Sequence, residues 1–166
     1  MADAPGIPAE FAAWLTEWTA TRRLTYDLLE TLPYSVMNFS PHPDFGTLIR
    51  QIRHVGDIQA AYMTAIERGR MDFAAHRRQR TLERSKDDVA AYLQALDARM
   101  VDLLSALSED QRAGRIDWGD GAEVSLAQHL TRLLQHETLH HGMWTFYAKI
   151  ADLPLPDSWR RAWTLT

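Results

Sequence analysis

The chain has 166 residues, 46% of them hydrophobic and 24% charged, which predicts one soluble globular domain over residues 1–166. The net charge of −4 argues against a general nucleic-acid binder, and no apolar run approaches the roughly 18 residues of a membrane span. The chain has no cysteine and no secretory signal pattern at its start, so we expect a cytoplasmic protein in which any metal is held by His, Asp or Glu.

The first two predicted helices are separated by a proline-rich connection. Apolar residues at helical spacing predict a first helix over residues 8–32, because Pro8 suits a first helical turn and Pro33 prevents continuation. The second predicted helix begins within residues 44–47, and Gly69 ends it.

The second half of the chain predicts two further helices and a hairpin. Ser85 is the expected N-cap of the third helix. Alternating residues around a Gly-Asp-Gly turn predict a small hairpin over residues 115–124. Ser125 and Gln128 then form a capping-box pattern that begins a fourth helix running toward Ile150. The pattern favours an all-α four-helix bundle with a small hairpin before the last helix.

Two histidines one helical turn apart give the main functional signal. His136 and His140 lie at positions i and i+4, so their imidazoles can converge on one divalent ion. His54 lies among apolar residues of the second predicted helix, where a histidine alone is usually a hydrogen-bonded core residue. Together with a convergent pair on another helix, it becomes the candidate third ligand. Three histidines and a water form the open coordination of a reactive zinc site. We expect one divalent ion per chain, zinc or nickel.

The other histidines suit this site less well. His129 lies two turns, about 10 Å, before the pair, and His141 points about 100° away from it. We favour a polar contact that lines the bundle for His129, and His141 is open to a cross-bundle hydrogen bond or a place in a pocket wall. His42 follows a proline and His76 lies in a polar stretch, so we expect both to be exposed.

Two segments of the chain resemble motifs of the DinB/YfiT-like family of metalloenzymes. Residues 48–57, Leu-Ile-Arg-Gln-Ile-Arg-His-Val-Gly-Asp, are similar to the family's second-helix motif, and residues 136–142, His-Glu-Thr-Leu-His-His-Gly, to its His-x-x-x-His-Arg-Gly-Gln motif. The resemblance extends over nearly the whole chain, including the tail at residues 154–157. His141 stands where the family usually has Arg, and Met143 where it has Gln.

The resemblance implies an up-down-down-up bundle with a divalent ion held by His54, His136 and His140. Characterised relatives include thiol S-transferases that use bacillithiol or mycothiol, so it also implies a low-molecular-weight thiol cosubstrate and a small electrophilic substrate. Asp57 follows His54 by about one turn, and we hypothesise that it orients a ligand imidazole or acts as a base. An exposed carboxylate that stabilises the helix is the alternative for Asp57.

Two other functions are open from the sequence. Residues 136–140 read His-Glu-x-x-His, so Glu137 could act as the general base of a metal-dependent hydrolase. A zinc peptidase is disfavoured, because no His or Glu follows His141 and no strand-rich half is predicted. The third hypothesis is a bundle that binds a small ligand or a metal without turnover. Solvent access to the metal would separate a reactive site from a structural one.

We predict that the protein forms a homodimer. Six Trp, five Tyr and five Phe are many large apolar groups for a small bundle, and the resemblance implies paired bundles. Phe11, Trp14, Leu15 and Trp18 lie on one stripe of the first predicted helix, and taken alone these four residues are better explained as a plain core stripe. Sedimentation velocity at micromolar concentration checks this. A single species near the chain mass of 19.0 kDa, with no concentration dependence, would contradict it.

Overall fold

A computed structural model describes residues 6–74, 79–119 and 121–165. Its helices are α1 (Ala9–Thr31), α2 (Tyr34–Met37), α3 (Leu48–Arg68), α4 (Lys86–Ser105), α5 (Glu109–Ala113), α6 (Leu126–Ile150) and α7 (Asp157–Trp163), with a 3₁₀ turn at Arg80–Arg84. Strands β1 (Arg115–Asp117) and β2 (Glu123–Ser125) form an antiparallel hairpin. The expectation that His76 is exposed falls outside the described residues. Within the described ranges, no helix has both the length and the apolar composition needed to cross a bilayer.

Local capping signals explain where the long helices begin and end. The Ser85 hydroxyl accepts hydrogen bonds from two backbone N–H groups of the first turn of α4. Ser125 and Gln128 form a reciprocal capping box at the start of α6. Gly69 ends α3 in the left-handed region, with φ of 70°. These predicted boundaries are confirmed. Pro8 is the N-cap of α1 rather than a residue of its first turn.

The four long helices α1, α3, α4 and α6 form an up-down-down-up bundle, as the resemblance implied. Side-chain contacts at two levels show that α6 is parallel to α1, that α3 is antiparallel to α6, and that α4 is parallel to α3. The contacts are Trp14–Leu130 and Thr25–Glu137 for α1 and α6, His54–His140 and Tyr62–His129 for α3 and α6, and Asp57–Tyr92 and Glu67–Arg99 for α3 and α4.

Short elements close the two ends of the bundle. The hairpin joins the end of α3, because the backbone of Asp117 exchanges hydrogen bonds with Gly69 and Met71 at 3.0 and 2.8 Å. At the opposite end, the chain folds back after α6 as the unpredicted helix α7. Its Trp159 is fully buried and donates an indole hydrogen bond to the Leu24 carbonyl at 2.7 Å.

The hydrophobic core is divided into two clusters. One cluster packs near the hairpin around Trp18, Met63 and Leu130, and the other lies near α7 around Leu28, Ile52 and Trp144. Between the clusters lies a set of polar side chains that we call the polar layer. Its members are Arg22, Thr25, Gln59, Asp97, Glu137 and His141.

The stacked indoles of Trp14 and Trp18 belong to the core near the hairpin. Their ring centroids lie 5.5 Å apart, and Trp18 is only 2% exposed. The core-stripe interpretation of this pair is therefore confirmed, and the homodimer stays a prediction.

Two helical glycines with different surroundings predict opposite effects of Gly→Ala substitution. A Cβ on Gly56 would lie 2.6 Å from Tyr92 Cε1 and 2.9 Å from Cδ2 of the fully buried Leu93. We expect Gly56→Ala to lower the free energy of unfolding by about 1 to 3 kcal/mol through overpacking. Gly142 in α6 has no atom within 4 Å of its Cβ position, so Gly142→Ala should raise it by about 0.5 to 1 kcal/mol. Urea denaturation measures both, and equal stability of the two variants would contradict the packing argument.

Candidate metal centre

The three predicted metal ligands lie together in the bundle. His54 comes from α3, and His136 and His140 come from successive turns of α6. Each offers one ring nitrogen, and these nitrogens all lie within 4.8 Å of one another. The ring centroid of His54 is 5.4 Å from that of His136 and 5.3 Å from that of His140. Among the described residues, this is the one group of His, Asp and Glu side chains that could hold a metal ion.

The environment lowers the pKa of the two α6 imidazoles, His136 and His140. Burial lowers the pKa of His136 to about 4, assisted by the neighbouring His54 and Arg22. Burial likewise lowers the pKa of His140 to about 3, with added effects of His136, His54 and His141. The Nδ1 atoms of His136 and His140 are buried without a hydrogen-bond partner in the described part of the chain. Neutral nitrogens that lack partners are suited to coordinate a divalent ion, so the residues present fit one.

A cavity of about 230 Å³ borders this cluster and gives it an open side. The cavity is lined by Asp44, Phe45, Arg50, Gln51, Arg53, His54 and His140. Arg53 is buried there and is paired with Asp57 and with Glu83, whose carboxylate accepts from Nε at 2.7 Å. Arg50 is exposed in the first turn of α3. Besides the two imidazoles, the lining of this cavity therefore includes one buried, paired guanidinium and one exposed guanidinium.

Asp57 is buried between α3 and α4 rather than exposed. Its carboxylate accepts hydrogen bonds from Arg53 and, at 3.2 Å, from the Tyr92 hydroxyl. Burial raises the pKa of the Tyr92 phenol above its usual range, and the Asp57 charge adds to this effect. Asp57 thus holds Arg53 in the cavity wall. Its hypothesised role toward a ligand imidazole stays a prediction.

Glu137 lies between the two α6 ligands in sequence, but its carboxylate contacts α1. It is 1% exposed and accepts a hydrogen bond from the Thr25 hydroxyl at 2.5 Å. Burial raises the pKa of Glu137, and Arg22 and Thr25 oppose this shift. The Thr25 oxygen lies 2.8 Å from His141 Nε2. Since the single Thr25 proton goes to the carboxylate, this histidine nitrogen is the donor. The role of Glu137 as a base stays a prediction.

Arg22 connects this carboxylate to the other side of the bundle. Its Nη1 lies 3.3 Å from Glu137 and its Nε lies 3.4 Å from Asp97, while Nη2 donates to Gln59 at 2.8 Å. The guanidinium also packs over the Trp18 ring at 4.7 Å. The sequence reasoning missed Arg22. Its position four residues after Trp18 and three before Thr25, on the core face of α1, was the available signal.

His129 and His141 take separate places outside the ligand cluster. His129 Nε2 donates to the Tyr62 carbonyl at 3.1 Å, and its Nδ1 accepts from the Trp118 indole at 3.3 Å. Burial lowers the pKa of His129 to about 4. The expectation of a polar contact lining the bundle is confirmed for His129. His141 makes the cross-bundle hydrogen bond, and His42 is exposed as expected.

Comparisons with known proteins agree with this architecture. The sequence profile of the DinB superfamily matches residues 17–144, a span that contains all three clustered histidines. The crystal structure of a DinB-like protein from Bacillus cereus ATCC 10987 is similar, with 19% identity, a TM-score of 0.67, and coverage of 86% of this chain and 93% of that one. The DinB-like protein YjoA from Bacillus subtilis is similar at 18% identity and a TM-score of 0.67, with coverage of 87% and 96%. No curated protein matches the chain.

We predict that the purified protein carries close to one divalent ion per chain, held by the three clustered histidines. His54→Ala and His136→Ala should each lose most of the metal, because the two imidazoles that remain in either variant are too few to hold the ion tightly. His129→Gln is the matched control, since it replaces a buried histidine of α6 outside the cluster. Elemental analysis of dialysed protein measures the content. Full metal content in both alanine variants would contradict the assignment.

Proposed function

The chain belongs to the DinB superfamily, and from that premise we propose that it is a divalent-metal-dependent enzyme that transfers a thiol to a small electrophile. The main support is the convergent cluster of His54, His136 and His140 beside a cavity of about 230 Å³. Three-histidine coordination leaves a position for an exogenous ligand. Because His54 and His140 line the cavity, a small thiol would reach that position without any change in the fold.

The chemistry needs no oxidant or reductant. Zinc or nickel bound at the cluster would act as a Lewis acid that lowers the pKa of the thiol, so that the thiolate forms near neutral pH. The thiol proton passes to solvent. A carbon–sulfur bond then forms at the electrophilic carbon, and the bond from that carbon to its leaving group breaks with the electron pair. The products are a thioether and the acid of the leaving group.

The protein side chains supply binding and orientation. The exposed Arg50 at the cavity wall can pair with an anionic group on the thiol, whereas the charge of Arg53 is already shared between Asp57 and Glu83. Glu137 anchors the ligand-bearing turn of α6 to α1 through Arg22. We therefore assign Glu137 a supporting role. Its engagement with α1 favours thiol transfer over a hydrolase that uses it as base.

We predict metal-dependent thioether formation. Metal-loaded protein, incubated with a panel of low-molecular-weight thiols and a chromogenic aryl halide, should accelerate the reaction with at least one thiol. Removal of the metal by chelation, or the His54→Ala substitution, should return the rate to background. His129→Gln should keep the rate of the unsubstituted protein. The absorbance of the thioether product measures the reaction rate in each case.

The same assay separates the alternatives. The hydrolase hypothesis would replace this one if the protein accelerated thioether formation with no thiol but hydrolysed a nitrophenyl ester. In that case Glu137→Gln should abolish the hydrolysis while the variant stays folded. If neither reaction depends on the metal, the protein is a binding bundle without turnover.

A further inference from the structure

A second cavity, of about 300 Å³, lies next to the cavity of the metal centre. It is lined by Pro41, Phe45, Met143, Phe146, Tyr147 and Ile150, and we call it the apolar pocket. Phe45 lines both cavities. On α6, Met143 and Tyr147 follow His140 by three and seven residues, so all three lie on one face of the helix. The two cavities are therefore neighbours that open along the same stretch of α6.

The lining of the apolar pocket offers no group to bind a polar ligand. Tyr147 is its single polar side chain, and its hydroxyl is already bonded to the backbone carbonyls of Phe45 and Gly46 at 3.2 and 3.0 Å. At the same time Phe146 is 69% exposed and Ile150 is 62% exposed. Covering this surface with hydrocarbon would be favourable, because each buried CH₂ contributes about 0.8 kcal/mol.

We propose that the apolar pocket binds the hydrocarbon part of the electrophilic substrate and places the reactive carbon in the cavity of the metal centre. This inference rests on the proposed function and names the substrate class: an electrophile that carries a short aliphatic chain or a single aromatic ring. The volume of about 300 Å³ lies at the lower end of ligand pockets, which favours such a small group over a bulky one.

The concave shape and the shared wall favour a small molecule over a second copy of the chain as occupant. A partner chain packed on Phe146 and Ile150 would cover the outer face of α6, including the equally exposed Leu139. Leu139 lies on the same helix and does not line the apolar pocket. It therefore distinguishes binding in the pocket from binding along the whole helix face.

The test measures hydrocarbon binding without relying on catalysis. The protein, labelled with ¹³C at the methionine methyl groups, is titrated with n-alkyl alcohols from butanol to octanol at concentrations that leave its circular dichroism unchanged. The Met143→Leu variant assigns the Met143 signal. We expect this signal to shift, with an affinity that rises about fourfold for each added methylene until the pocket is filled.

Charged variants then locate the binding. Ile150→Glu should abolish the dependence of affinity on chain length. Leu139→Glu is the matched control and should keep that dependence, because Leu139 is 64% exposed and Ile150 is 62% exposed. His54→Ala should lose the metal and still bind alcohols, so failure of the metal chemistry is distinguishable from failure of this inference. The inference would be overturned if Ile150→Glu and Leu139→Glu weakened alcohol binding equally, or if the affinity did not depend on chain length. A dimer that Ile150→Glu dissociates, with no alcohol binding at Met143, would assign the surface to a second copy.

Discussion

The register of α3 against α6 is the constraint on which the metal centre depends. Two contacts show this register at different levels of the bundle: the ring of His54 lies 5.3 Å from that of His140, and His129 donates to the Tyr62 carbonyl at 3.1 Å. A slip of one residue would turn α3 by about 100° and move it by about 1.5 Å along its axis. His54 would then leave the α6 pair. His129 lies too far along α6 to reach the ion, and its contact with α3 is in the same register as the contacts of the cluster.

The polar layer contributes orientation more than net stability. Arg22 is a single buried cation between the carboxylates of Glu137 and Asp97. Removing such charges from water costs several kcal/mol for each ion, and their attraction offsets this cost only in part. Leaving any one of them without its partner would be more costly still. The layer therefore permits few arrangements of α1 relative to α6, and the turn that bears His136 and His140 is held in one of them.

Local rules explain what the sequence could predict. Ser85 and Ser125 bond to backbone groups within three residues, and Gly69 needs only its own left-handed conformation, so these boundaries can be read without knowledge of the fold. His136 and His140 could be predicted as two ligands in the same way, because their spacing along one helix needs no knowledge of the fold. The third ligand needed the resemblance as well, because a histidine in an apolar helix is by itself ambiguous.

The features that escaped prediction depend on contacts between distant parts of the chain. Helix α7 has seven residues, too few for a stable isolated helix, and it is held by the burial of Trp159. Arg22 contradicts the usual rule that arginine is exposed, and its place follows from partners on α3, α4 and α6. The direction of the Glu137 side chain likewise became evident only when α1 was in place.

The division of the core into two clusters also bears on how such a protein can change over evolution. Directional hydrogen bonds in the polar layer do not adapt to small shifts as hydrocarbon packing does. We therefore expect a substitution around Ile52 or Trp144 to be accommodated within its own half, while the half that contains Trp18 and Met63 keeps its packing. Changes in the lining of the two cavities would then leave the hairpin end of the bundle in place.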